Sequence, residues 1–169
     1  YTNEEFGFEF KYRGELKEDL YNKDENNYGS KSFNVRDLTI HDNVVFSDFG
    51  FYTKEFAKEH KLDTDGPHSS FDFDLKRFND QKDALNKGLS YNGEQITFIK
   101  NRPYHIAGLP CEDSCTLRYT TYFNDIRVSF YIWATYDFHD KYTDHQLFHK
   151  EFRKRSDKLI EQMEIKEIK

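Results

Sequence analysis

The stretch FGFEFKYR places Phe6, Phe8, Phe10 and Tyr12 on alternate positions, with Gly7, Glu9 and Lys11 between them. Neighbouring side chains of a strand point to opposite faces, so this spacing predicts a strand with one buried aromatic face. Aromatic residues make up 18% of the 169-residue chain, against 36% hydrophobic and 33% charged residues in total. With aliphatic side chains this scarce, Phe and Tyr must build the core. The length suits one domain over 1–169 with a real interior.

Periodicity orders the rest. LKEDLYNKDENNYGSKS is polar and reads as a connection, and FNVRDLTIH with NVVFSDFGFYT reads as a strand pair turning at His41-Asp42-Asn43. TKEFAKEHK suits a short helix before DTDGP breaks the chain. FDFDLKRF alternates and is expected to be a strand, followed by a short helix in NDQKDALNKG capped at Asn79 or Asp80 and stopped by Gly88. QITFIKN, PYHIAGL, TLRYTTYFN and IRVSFYIWATY then form an antiparallel meander. Val128, Phe130, Ile132 and Ala134 alternate with Tyr131 and Trp133, which makes this last strand central, with both faces covered. Thr143 with Gln146 forms a capping-box pair. Phe148, Phe152, Leu159 and Met163 follow on one helical stripe, and EIKEIK closes as a strand. The expected class is α+β, an antiparallel sheet with helices packed on its faces.

A formal charge of −6 argues against a nucleic-acid binder, and the basic run Lys150, Arg153, Lys154, Arg155 and Lys158 is diluted by acidic neighbours into a solvated helix face. No apolar run reaches the eighteen or so residues of a membrane-spanning helix, so membrane contact is expected only through a lipid anchor. A chain opening on Tyr1 is compatible with either a trimmed or a processed product.

Cys111 and Cys115 lie four apart in GLPCEDSC, whose Gly108, Pro110, Asp113 and Ser114 mark a loop. A disulfide is the expectation. It would stabilise by about 2 kcal/mol and would point to an oxidising, extracytoplasmic compartment. Two free thiols, or a metal shared with His105, are the alternatives.

The richest polar cluster is DFHDKYTDHQLFHK, with Asp137, His139, Asp140, Asp144, His145 and His149. His145 and His149 have a spacing that can share a metal, but Gln146, Leu147 and Phe148 stand between them where a zinc protease carries its Glu. A helical wheel puts His145 in the apolar stripe and His149 on its flank, as boundary histidines under the helix. DTDG lacks the remaining ligands of a calcium loop. Ser129, Ser69 and Ser70 lack a nucleophile elbow, and Gly88 and Gly93 read as a turn.

The opening YTNEEFGFEFKY resembles the first strand of the PsbP-like (Mog1/PsbP/DUF1795-type) proteins, and the later meander, long helix and closing EIKEI strand follow the same order. Tyr12-Arg13-Gly14-Glu15-Leu16 departs from that family's Tyr-Pro and Trp. The resemblance implies an α/β sandwich in an exported or lipid-anchored bacterial protein with binding or assembly roles.

The expected function is therefore non-enzymatic, extracytoplasmic binding or assembly, with an immunity-type inhibitor of a basic toxin as one form. The partner would be a protein or a small ligand, and no cofactor is expected. Tyr104, Tyr122, Tyr131 and Trp133 are expected at the sheet surface, and Glu112, Asp113, Asp137 and Asp140 on recognition segments. The alternative is a metal-dependent hydrolase using His139, His145 and His149.

Overall fold

The computed structural model describes residues 2–4, 7–11, 15–18, 30–36, 44–62, 70–87, 96–109, 116–123 and 125–167. The elements are β1 (Thr2–Asn3), β2 (Phe8–Lys11), β3 (Glu15–Glu18), β4 (Ser30–Arg36), β5 (Val44–Thr53), α1 (Lys54–Glu59), α2 (Phe71–Asn86), β6 (Ile96–Ile99), β7 (Arg102–Leu109), β8 (Thr116–Phe123), β9 (Ile126–Ala134), α3 (Tyr136–Lys141), α4 (His145–Gln162) and β10 (Glu164–Glu167). A seven-stranded sheet runs β3-β4-β5-β9-β8-β7-β6, and every pairing in it is antiparallel. The fold is α+β, an antiparallel sheet with helices on its faces.

The meander follows the expected order, and β9 is the central strand. Its even-numbered residues Val128, Phe130 and Ile132 are fully buried beneath α4. The β6–β7 hairpin turns through Lys100 and Asn101, both with positive φ (47° and 65°) and flanked by the pair Ile99 and Arg102. This is the backbone that a tight two-residue hairpin requires. Between β5 and β9 the register shifts at Ser47, whose hydroxyl donates to the Tyr131 carbonyl at 3.2 Å.

One face of the sheet carries the main core. Phe148, Phe152, Ile160 and Met163 from α4 and its end, with Phe138 of α3, pack against rings from β5, β8 and β9. A second, three-stranded sheet, β1-β2-β10, closes this side. Phe8 is its anchor: the ring is 0% exposed and sits 5.1 Å from Phe51, 5.7 Å from Phe123 and 6.2 Å from Phe49. The closing strand therefore pairs with the opening one rather than with the main sheet. The opening strand begins at Phe8, because Gly7 adopts φ 68°, in the left-handed region that glycine tolerates, and turns the chain back from β1. Phe6 and Tyr12 lie outside the described residues.

The opposite face carries α2, and here the alternation of FDFDLKRF misleads. These residues form the first half of one continuous helix capped by the Ser70 hydroxyl, which accepts from the Phe73 amide at 3.3 Å, with Asp72 and Asp74 in the first turn. The buried stripe is Phe71, Asp74, Phe78 and Gln81, and Phe73 is exposed. No new cap at Asn79 or Asp80 is needed. Lys54 and Lys58 of α1 both reach Asp72, at 2.6 and 3.1 Å, and tie the two helices together. Hydrogen bonding from Lys54 holds the Asp72 carboxyl below its ordinary range.

The polar stretch read as a connection contains β3 and the start of β4, paired from Glu15 with Arg36 to Glu18 with Phe33. The turn at His41-Asp42-Asn43 lies outside the described residues.

Candidate functional site

A cleft with a volume of about 800 Å³ opens at the end of the sheet where the β6–β7 and β8–β9 hairpins turn. One wall is α2, through Phe78, Asn79, Lys82 and Asn86. The hairpins bring Phe98, Lys100, Asn101 and Arg102 from one side and Thr121, Tyr122 and Asp125 from the other, and Ile165 of β10 closes the far edge. The volume lies within the range of small-molecule sites.

Three cations, Lys82, Lys100 and Arg102, face one carboxylate, Asp125, in a protein whose overall charge is −6. Neither lysine forms an ion pair with a described residue. Arg102 is held by stacking: its guanidinium carbon lies 4.3 Å over the Phe123 ring, and Nη2 donates to the Ile165 carbonyl at 3.5 Å. That single long hydrogen bond uses one of the five donors of the fork. Asn79, Asn86 and Asn101 add amides that both donate and accept. Thr121 is 1% exposed; its cross-strand partner is the core residue Val128, and its hydroxyl has no hydrogen-bond partner among the described residues. The aromatic surface offered is Phe98, 39% exposed, with Tyr122 behind it.

Tyr122 is packed against Phe78 at 4.9 Å and Phe71 at 5.7 Å, so its ring fixes α2 to the sheet at the same time as it lines the cleft. Tyr104 is not at the surface: it is 2% exposed, on the α4 face beside Tyr119 at 6.2 Å, because its strand position points into the core. Tyr131 is half-buried and Trp133 is 47% exposed on the opposite face, as expected of surface aromatics. His105 is buried under α2 and lines a small cavity with Asp74 and Gln81. Cys111, Glu112, Asp113 and Cys115 lie outside the described residues.

The histidine cluster differs from the wheel. His145 and His149 are both exposed, with ring centroids 5.5 Å apart, because the buried stripe of α4 runs through Phe148, Phe152, Ser156 and Ile160. Asp137 and Asp140 are exposed on α3, a helix rather than a loop, and His139 belongs to the same helix. Among the described residues, no group of three or more His, Cys, Asp or Glu is placed to hold a metal ion.

Of the residues that the sequence put forward for binding, Tyr122 lines the cleft, and Tyr104, Asp137 and Asp140 do not. Lys82, Lys100, Arg102 and Thr121 are ordinary residues in separate elements, and only the hairpin after Ile99, with its Lys-Asn turn, was a local signal of a rim.

No family model and no curated protein matches the chain. A solved Bacteroides thetaiotaomicron structure is similar over 95% of this chain and 45% of its own length, at 12% identity and a TM-score of 0.38. The chain thus spans less than half of that protein. No described helix is long and apolar enough to cross a membrane.

Proposed function

We propose that this chain is a non-catalytic binding domain whose ligand or partner engages the cleft between α2 and the two hairpins. The observation that carries the reading is the cleft itself: about 800 Å³, walled by elements of four separate parts of the chain and lined by cations and amides around one exposed ring. Rigid strands and a helix anchored by Tyr122 hold these groups, and a preformed site loses less entropy on binding. An extracytoplasmic location and a PsbP-like affiliation belong to the same proposal. The cysteine pair supports the first. The second is supported by the order of meander, long helix and closing strand.

The test is a small-molecule fragment screen followed by amide chemical shifts of the full chain. Binders should move the amides of Lys100, Asn101, Tyr122 and Asp125 together. A library with no such binder overturns the proposal, and so does zinc-dependent hydrolysis abolished by His145→Ala, which would install the metal-dependent hydrolase in its place.

A further inference from the structure

We infer that the cleft selects a small organic anion, a carboxylate or a phosphate carried on a hydrogen-bonding body with one flat face. This rests on the cleft being the binding site, and adds the class of its ligand. Lys82 approaches from α2, Lys100 from the hairpin turn and Arg102 from the start of β7, so positive groups reach the same space from two walls.

Their state matters more than their number. Three other lysines of α1 and α2 are paired: Lys54 and Lys58 with Asp72, and Lys76 with Asp80 at 2.6 Å. Lys82 and Lys100 have no such partner among the described residues, and Asp125 is the single carboxylate in the cleft. Arg102 is preoriented by the Phe123 ring, with most of its fork uncommitted. A guanidinium held by stacking is the group best suited to a planar two-oxygen anion, with the lysines adding point charges around it.

The neutral lining points the same way without depending on charge. The amides of Asn79, Asn86 and Asn101 match hydroxyl or amide groups on the body of the ligand, and the exposed ring of Phe98 offers it one flat surface.

Two probe pairs separate the sources of the anion. Tri-galacturonate against neutral tri-galactose tests the carboxylate, and AMP against adenosine tests the phosphate, each titrated by calorimetry against the full chain at low salt. In at least one pair the anion should bind about tenfold or more tightly than its neutral partner, and the difference should shrink as salt is added. Lys82→Gln with Lys100→Gln should reduce the preference by about threefold or more at an unchanged melting temperature, leaving the share that Arg102 supplies. Charged and neutral members that bind equally, or a preference that the lysine substitutions leave unchanged, would overturn the anion assignment while leaving the cleft as a binding site. If neither probes nor fragments move the cleft amides, both readings fall.

Discussion

The Tyr119 hydroxyl donates a 2.7 Å hydrogen bond to Asp157 Oδ1, joining the buried middle of β8 to α4. Arg153 completes the link, donating from Nε to the same oxygen at 2.8 Å and from Nη2 to Thr97 Oγ1 at 2.8 Å. One carboxylate oxygen thus gathers a buried phenol and a guanidinium, and through them fastens α4 to β6 and β8. Asp157→Ala strands the buried phenol and should cost about 1–3 kcal/mol, whereas Tyr119→Phe removes only one donor and should cost about 0.5–1.5 kcal/mol. Urea melts of the two variants measure both. A larger loss for Tyr119→Phe would show that the carboxylate is not the critical member.

Alkaline stability follows from the same region. Burial pushes the phenols of Tyr104 and Tyr119 above their ordinary range, opposed at Tyr104 by Arg102 and reinforced at Tyr119 by the Asp157 carboxylate. In the unfolded chain both ionise near about pH 10, so above that pH the unfolded state holds fewer protons than the folded one. Their contribution is complete below about pH 10 and is lost as pH rises beyond it, by up to about 1.4 kcal/mol per pH unit for each tyrosine. Tyr104→Phe should make the fall of melting temperature above pH 10 measurably shallower. An unchanged alkaline slope would contradict the burial of this phenol.

Phe8 fastens the small sheet to the large one. Phe8→Ala should cost about 3–5 kcal/mol, since a fully buried ring in contact with three others leaves a cavity. Phe73→Ala, at an exposed position of α2, should change stability by less than about 0.5 kcal/mol. Thermal melts that gave similar losses would place the opening strand outside the core.

Asp144, rather than Thr143, caps α4: its Oδ1 accepts from the Gln146 and Leu147 amides at 2.8 and 3.0 Å. Asp144→Ala should destabilise by about 0.5–2 kcal/mol, and Thr143→Ala by less than about 0.5 kcal/mol. The opposite ranking would restore the Thr143 and Gln146 capping box.

Sequence alone determined the elements whose side-chain pattern is amplified by burial. Val128, Phe130 and Ile132 lie on one face of β9, and Phe148 and Phe152 on one stripe of α4, because a buried face must be apolar at the spacing of its own backbone. The central position of β9 was legible for the same reason, since both of its faces carry bulky residues. Tertiary structure decided the rest. The N-terminal half of α2 alternates like a strand, yet its inward stripe includes Asp74 and Gln81, so hydrophobicity could not report the helical period. Ser70 and the first-turn aspartates were the local sign of the helix, and burial of Phe71 and Phe78 against Tyr122 settled it. Thr143 and Asp144 are adjacent and both able to cap, so side-chain geometry at the start of α4 chose between them. The cleft was the least legible feature. Lys82, Lys100, Arg102 and Thr121 share no spacing along the chain, and they meet only because antiparallel pairing of β6, β7 and β8 sets two hairpin ends beside α2. A site assembled from long-range register leaves no periodic trace in the sequence, because its residues are placed by the pairing of strands and not by the repeat of any one of them.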